Sequence, residues 1–233
     1  MFDVTTLEEV EHNQEVWPGI DKPGLYSLNC DTGSVAKIVT LDAINAFLRS
    51  QGYTPDQNDK FCHVMPNFDM TRVMTRWELK EEGVLFSCNM QGGDKVIFPS
   101  RPLHQLWFDN ETYFAVNREA QSICRFKQDG TEVETLAGPG NHIDASPNRQ
   151  WFVTDSIYHQ TPITIRLYPR GDTEPAAELD RHNFYSAAWG PFGGHANPVF
   201  SRDGKYVYFN RASQETQVNV VRVNIEPIMS DKK

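Results

Sequence analysis

A histidine recurs along this chain at the head of one pattern: a short strand, a polar turn and a second apolar strand. The pattern reads HVMPNFDMTRVMTRW from His63, HQLWFDNETYFAVN from His104, HIDASPNRQWFVTD from His142 and HANPVFSRDGKYVYFN from His195, at spacings of 41, 38 and 53 residues. No other feature constrains the fold as strongly. A repeat of roughly 40 residues is one supersecondary unit that cannot bury its apolar face alone, so neighbouring units must stack. A second hairpin follows each pattern: VLFSCNM and KVIF flank Gly92-Gly93-Asp94, SICRFK and TEVETL flank Asp129-Gly130, and ITIRLYP and a polar strand flank Arg170-Gly171-Asp172. Apolar runs broken by Asp, Asn and Gly are hairpin signals. Four strands in a repeat of this length make the blade of a β-propeller, so an all-β fold is expected. The insertion RHNFYSAAWGPFGG accounts for the longest spacing.

The first sixty residues are less regular. GLYSLNCDTGSVAKIVT reads as the outer hairpin of a preceding blade, turning at Asp31-Thr32-Gly33. The one clear helix falls near residues 41–51: Thr40 can cap it, Leu41, Ile44, Phe47 and Leu48 share a face, and Gly52 can end it. The chain is read as one domain over 1–233, with a partial blade plus helix over 1–60, four His-led repeats over 61–223 and a tail over 224–233. Counting the N-terminal part gives about five units, against four to eight blades in closed propellers, so the chain is either a small ring or part of a seven-bladed one. An incomplete ring would leave sheet edges open and favour self-association.

Composition narrows the partners. A net charge of −9 over 233 residues argues against nucleic acid and anionic membrane, both of which need a concentrated basic face. Cys30, Cys62, Cys88 and Cys124 form no C-x-x-C pair and read as buried thiols. The N-terminus has no signal-peptide pattern, so a cytoplasmic protein is expected, or a periplasmic one if processed from a longer precursor. No G-x-S-x-G, Walker, dinucleotide-binding or H-E-x-x-H motif occurs.

The chemistry therefore falls to the histidines. Inner propeller strands run side by side, and their equivalent ends converge on one mouth, where His63, His104, His142 and His195 are expected to gather. Neutral imidazoles suit a borderline divalent metal such as manganese, iron, nickel or zinc. Asn197 follows His195 by two residues, where Gly193 and Gly194 allow an irregular strand start, and is counted with it as a ligand. His104 is suited to a general base. The competing role for each is a hydrogen bond between blades. His159 and His182 fall in segments read as loops, open to carbohydrate or partner contacts.

HANPVFSRDGKYVYFN, GNHIDASPNRQWFVTDS and HQLWFDNETYFAVN resemble the C-terminal half of oligogalacturonate lyases and related TolB-like propellers, over residues 60–223. The resemblance implies a seven-bladed ring holding a manganese-type ion through three His and a Gln, with a further His as base. By motif His142 and His195 correspond to metal ligands and His104 to the base. Asn197 stands where the family has a second His in H-x-H-P, and Phe192 where it has the Gln. Gly83 aligns with an expected Arg, leaving Arg72, Arg76 and Arg101 as nearby cations. The implied activity is β-elimination in short, acidic uronate oligosaccharides, with His142, His195 and Asn197 on the metal, His104 as base, and His63, Arg76 and Tyr158 on the substrate. Two other readings stay open: a non-catalytic sugar- or metal-binding propeller with a pocket rimmed by Trp107, Tyr158 or Trp189, and a protein-binding scaffold.

Overall fold

The computed structural model describes residues 1–4, 7–56, 59–78, 83–98, 103–117, 119–156, 162–183, 195–214 and 217–230. The fold is all-β, a succession of antiparallel meanders of the β-propeller type. The chain forms two compact units: Met1–Arg101 with Asp109–Thr112 and Gln128–Thr131, and Pro102–Phe108 with Tyr113–Lys127 and Glu132–Lys233.

The first unit begins with β1 (Phe2–Val4), α1 (Leu7–Gln14), β2 (Gly24–Leu28), β3 (Val35–Thr40) and α2 (Leu41–Ser50). The three strands form one sheet in the order β1-β2-β3. The Thr40 hydroxyl caps α2 by accepting the N–H of Ala43 at 3.2 Å, and Gly52 follows the helix at φ +89°, so both ends match the sequence reading. α1 was not expected, because LEEVEHNQ has no apolar stripe; Val10 is buried. A four-stranded sheet follows, with β4 (Lys60–Pro66), β5 (Arg72–Glu78), β6 (Gly83–Asn89) and β7 (Val96–Phe98). Leu25, Ile44, Leu48, Val73, Trp77 and Phe86 share the core of this unit.

In the second unit β8 (Leu103–Trp107), β9 (Thr112–Asn117), β10 (Ser122–Lys127) and β11 (Glu132–Ala137) make one sheet. β12 (Ile143–Ala145), β13 (Trp151–Thr154), β14 (Ile163–Pro169) and β15 (Ala177–His182) make the next, and β16 (Val199–Phe200), β17 (Tyr206–Gln214) and β18 (Gln217–Asn224) the last, before the short α3 (Glu226–Ser230) in the presumed tail. Middle strands such as β9 and β14 are buried almost throughout. This is why they read as continuous apolar runs, while the outer β18 alternates. Phe114, Phe152 and Tyr168 join the first two sheets through one cluster, and Val153, Ile165, Val207 and Phe209 join the last two through another.

Hairpin registers align the blades independently of residue type. The last pairs before the first turn are Pro66–Val73, Trp107–Tyr113, Ala145–Phe152 and Phe200–Val207. Stepping back equally from each reaches His63, His104, His142 and, in the fourth blade, Asn197 rather than His195. The turns confirm this frame. Ser146 N–H donates to Trp151 O and Ser201 N–H to Tyr206 O, each at 2.8 Å. Trp151 and Tyr206 N–H return bonds to those serine hydroxyls at 2.9 Å. The fourth histidine of the repeat therefore lies two residues ahead of the repeat position. Of the thiols, Cys88 and Cys124 are buried, Cys62 is half-buried, and Cys30 is exposed in the β2–β3 turn, against expectation. Burial pushes the Cys88 thiol up to about 11, which keeps it inert.

Candidate functional site

In three of the four repeats the residue at the aligned position has unusual backbone geometry. His63, His104 and Asn197 are left-handed, with φ of 55°, 52° and 43°. His63 and His104 lie within breaks in strand register, between Cys62 and Met65 and between Leu103 and Leu106. A bulge bends the strand and re-aims a side chain, and His and Asn tolerate the left-handed region better than most residues. Backbone geometry alone thus favours these residue types here. His142 differs, because it continues regular pairing and accepts the N–H of Asp155 at its carbonyl at 3.2 Å.

Three of the predicted residues come together in the second unit. The His142 ring lies with its centroid 4.3 Å from that of His104, tilted by 57°, and 5.0 Å from that of His195, edge-on at 82°. Asp155, 4% exposed, clamps His142 from below. One carboxylate oxygen accepts the His142 backbone N–H at 2.7 Å and the other lies 2.6 Å from Nδ1. A carboxylate only accepts, so Nδ1 carries hydrogen, and a neutral His142 presents the Nε2 lone pair. The His195 carbonyl accepts the Asn210 amide at 3.1 Å. Asp155 and Asn210 escaped the sequence reading, although both occupy the cross-strand position opposite the start of the inner strand. The signal was present as the Asp that ends WFVTD.

One further carboxylate supports the site from behind. Asp144, on β12, accepts the N–H of Phe200 from β16 at 2.8 Å. Burial raises its pKa against the lowering effect of that bond and of Arg149.

The other expected residues fare differently. His63 is exposed and Arg76 half-buried, both in the first unit. An ideal Cβ placed on Gly83 would stand 2.5 Å from the Arg76 Nε and 2.8 Å from its Nη2. A guanidinium therefore does occupy the neighbourhood where an arginine was sought, but it comes from the adjoining strand β5, where Arg76 pairs with Leu85 and Glu78 with Gly83. Arg72 instead donates to Ser87 and to the Asp94 carbonyl. Asn197 is exposed. Tyr158, Trp189, Phe192, Arg101 and His159 lie outside the described residues. His182 is not a loop contact: it ends β15, buried, with Nδ1 2.8 Å from Asp180. Trp107 is buried too, which withdraws it from a pocket rim.

Among the described residues no group of three or more His, Cys, Asp or Glu is placed to hold a metal ion. A metal would rest on His142 and His195, with an oxygen from Asn197. His142 is held at Nδ1 by a carboxylate, an arrangement shared with metal-ligating imidazoles.

No family model matches the chain, and no curated protein matches it. Solved structures do. An oligogalacturonate lyase from Vibrio parahaemolyticus superposes with a TM-score of 0.58 at 14% identity, over 95% of this chain and 60% of that one. TolB from Acinetobacter baumannii gives 0.54 at 11% identity, over 86% of this chain and 46% of that one. A chain of the nidogen/laminin complex gives 0.50 at 13% identity, over 84% and 72%. This chain thus spans about half of the TolB chain and three-fifths of the lyase. At such identities the likeness establishes the β-propeller fold alone. No helix among the described residues is long and apolar enough to cross a membrane.

Proposed function

We propose that the second unit carries a lyase-type site for short uronate oligosaccharides. The observation that supports this reading is the His142 ring, fixed by buried Asp155 and flanked by the rings of His104 and His195. The likeness to a solved oligogalacturonate lyase agrees with it at the level of fold. In β-elimination a base removes the proton α to the carboxylate, the electron pair forms a C=C bond, and the β C–O bond breaks to release the leaving sugar with a proton. His104 takes the α-proton in this scheme, an imidazole being the commonest general base. A divalent ion, manganese by chemical preference, would be held by His142, His195 and the Asn197 amide oxygen, and would draw off the negative charge that develops beside the substrate carboxylate. Asp155 holds the His142 tautomer, and Asn210 braces the backbone of His195.

The test is metal analysis of protein purified without chelator, beside a His142→Ala/His195→Ala double variant, followed by an assay for unsaturated uronate products. Stoichiometric metal that the variant loses, with product formation that depends on His104, is the expected result. Absence of metal even after manganese addition, and of unsaturated product, overturns the lyase reading and leaves a non-catalytic binding or scaffold propeller.

A further inference from the structure

The blade that carries His142 has a second built feature at its other end. β12 runs away from His142 into the Ser146–Trp151 turn, and the β14–β15 turn lies at that same end. Between these turns and α3 is a cavity of about 580 Å³, lined by Asn148, Gln150, Trp151, Arg170, Asp172 and Met229 among others. That volume is in the range of small-molecule sites.

Its chemistry is selective. Trp151 packs partly on the apolar cluster of this unit and lends its indole to the cavity wall, and among the described residues no hydrogen-bond partner takes its N–H. The equivalent residue in the next blade, Tyr206, is instead covered by the Arg222 guanidinium at 4.8 Å. The Asn148 side-chain oxygen is engaged by Ser146 and by the Gln150 N–H, which turns its NH₂ group outward as a donor. Asp172 is exposed and supplies acceptors. The one cation among the described lining residues is already occupied: Arg170 donates through Nε at 3.1 Å and Nη2 at 2.5 Å to the carboxylate of Glu134, and its guanidinium lies 5.3 Å from the Phe108 ring centre. Asp172 and Glu226 leave the lining repulsive to anions, and Glu226 is paired with Lys205.

A flat aromatic wall beside paired amide donors and carboxylate acceptors, with its cation satisfied, matches the faces and vicinal hydroxyls of a pyranose. We infer that this cavity binds a neutral saccharide, at a site separate from the histidines. An aromatic ring offers a large rigid apolar contact with a polar N–H at its edge, and the amide and carboxylate groups fix orientation. The inference does not depend on the lyase reading.

The experiment follows the Trp151 indole N–H resonance by NMR, assigned by its loss in Trp151→Phe. The probes are cellotriose, maltotriose, mannotriose and galactotriose, then trigalacturonate and tri-lysine. At least one neutral trisaccharide is expected to shift the resonance saturably, with binding weakened about ten-fold in Asn148→Ala and Asp172→Asn, both exposed turn positions, and unchanged in His142→Ala. No saturable shift with any neutral trisaccharide, or tighter binding of trigalacturonate or tri-lysine at Trp151, overturns the inference. Loss of metal or lyase activity in His142→Ala with the Trp151 response intact separates the two sites.

Discussion

The blade led by His63 and the blade led by His142 use one frame for opposite chemistry. In both, a histidine opens the inner strand, and the second strand presents a polar residue across from that start. In the first blade this residue is Arg76, paired with Cys62, and in the third it is Asp155, whose backbone pairs with that of His142. A cation faces one start and a carboxylate the other. A carboxylate accepts from an imidazole N–H and a guanidinium does not, so Asp155 holds His142 by its Nδ1, while His63 is exposed. In the second blade the same position is Val116, and in the fourth it is Asn210, which bonds the His195 backbone. A repeated histidine is therefore not a repeated function. The residue opposite sets what each start can bond to across the strand pair.

The comparison can be broken from the core upward. Phe152 is fully buried, pairs with Ala145 beneath His142 and packs against Phe114 at 5.8 Å. Phe152→Ala is expected to cost about 3–5 kcal/mol by chemical denaturation and to lower the blade's cooperativity. Asp155→Ala strands a backbone N–H and the Nδ1 hydrogen, an expected cost of about 1–3 kcal/mol. Asp155→Asn should preserve more stability, yet ¹⁵N shifts of His142 should report a mixed tautomer; an unchanged tautomer would remove Asp155 from its positioning role.

Asp144 sharpens the contrast through pH, because the equivalent positions in the other blades are Met65, Leu106 and Val199. Its folded pKa lies above the ordinary 3.8, chiefly through burial. The stability it contributes is therefore fully present below that ordinary value and lost as pH rises through the folded one. Asp144→Asn, which still offers Phe200 an acceptor, should gain on the parent between acid and neutral pH in unfolding free energy. Equal slopes would mean that the carboxyl is not penalised. The smallest effect is expected at Gly83. Gly83→Ala places a methyl against the Arg76 guanidinium, the movable end of a long side chain, so the loss should stay under about 1 kcal/mol. It should also shrink in an Arg76→Ala background, as a double-mutant cycle would show.

Much of the fold could be read before any coordinates. VLFSCNM, SICRFK and ITIRLYP became buried strands, the Gly-containing turns fell where written, and Thr40 capped its helix, because these features depend on local alternation and turn chemistry. α1 was missed for the same reason, since its residues carry no stripe for periodicity to find. The site was half legible. Histidine spacing named three rings that lie near one another, but the letter H drew the fourth repeat onto His195, whereas the Ser201–Lys205 turn matches Ser146–Gln150 and sets the frame on Asn197.

By itself the sequence determined an all-β repeat and the strands and turns within each blade, all consequences of interactions within a few residues of chain. Tertiary structure decided that His104, His142 and His195 stand within one ring's width of the next, that Asp155 holds the central one, and that Arg76 fills the space beside Gly83. Those outcomes depend on strand register, bulges and the stacking of sheets, which bring together atoms that no local pattern of residues connects.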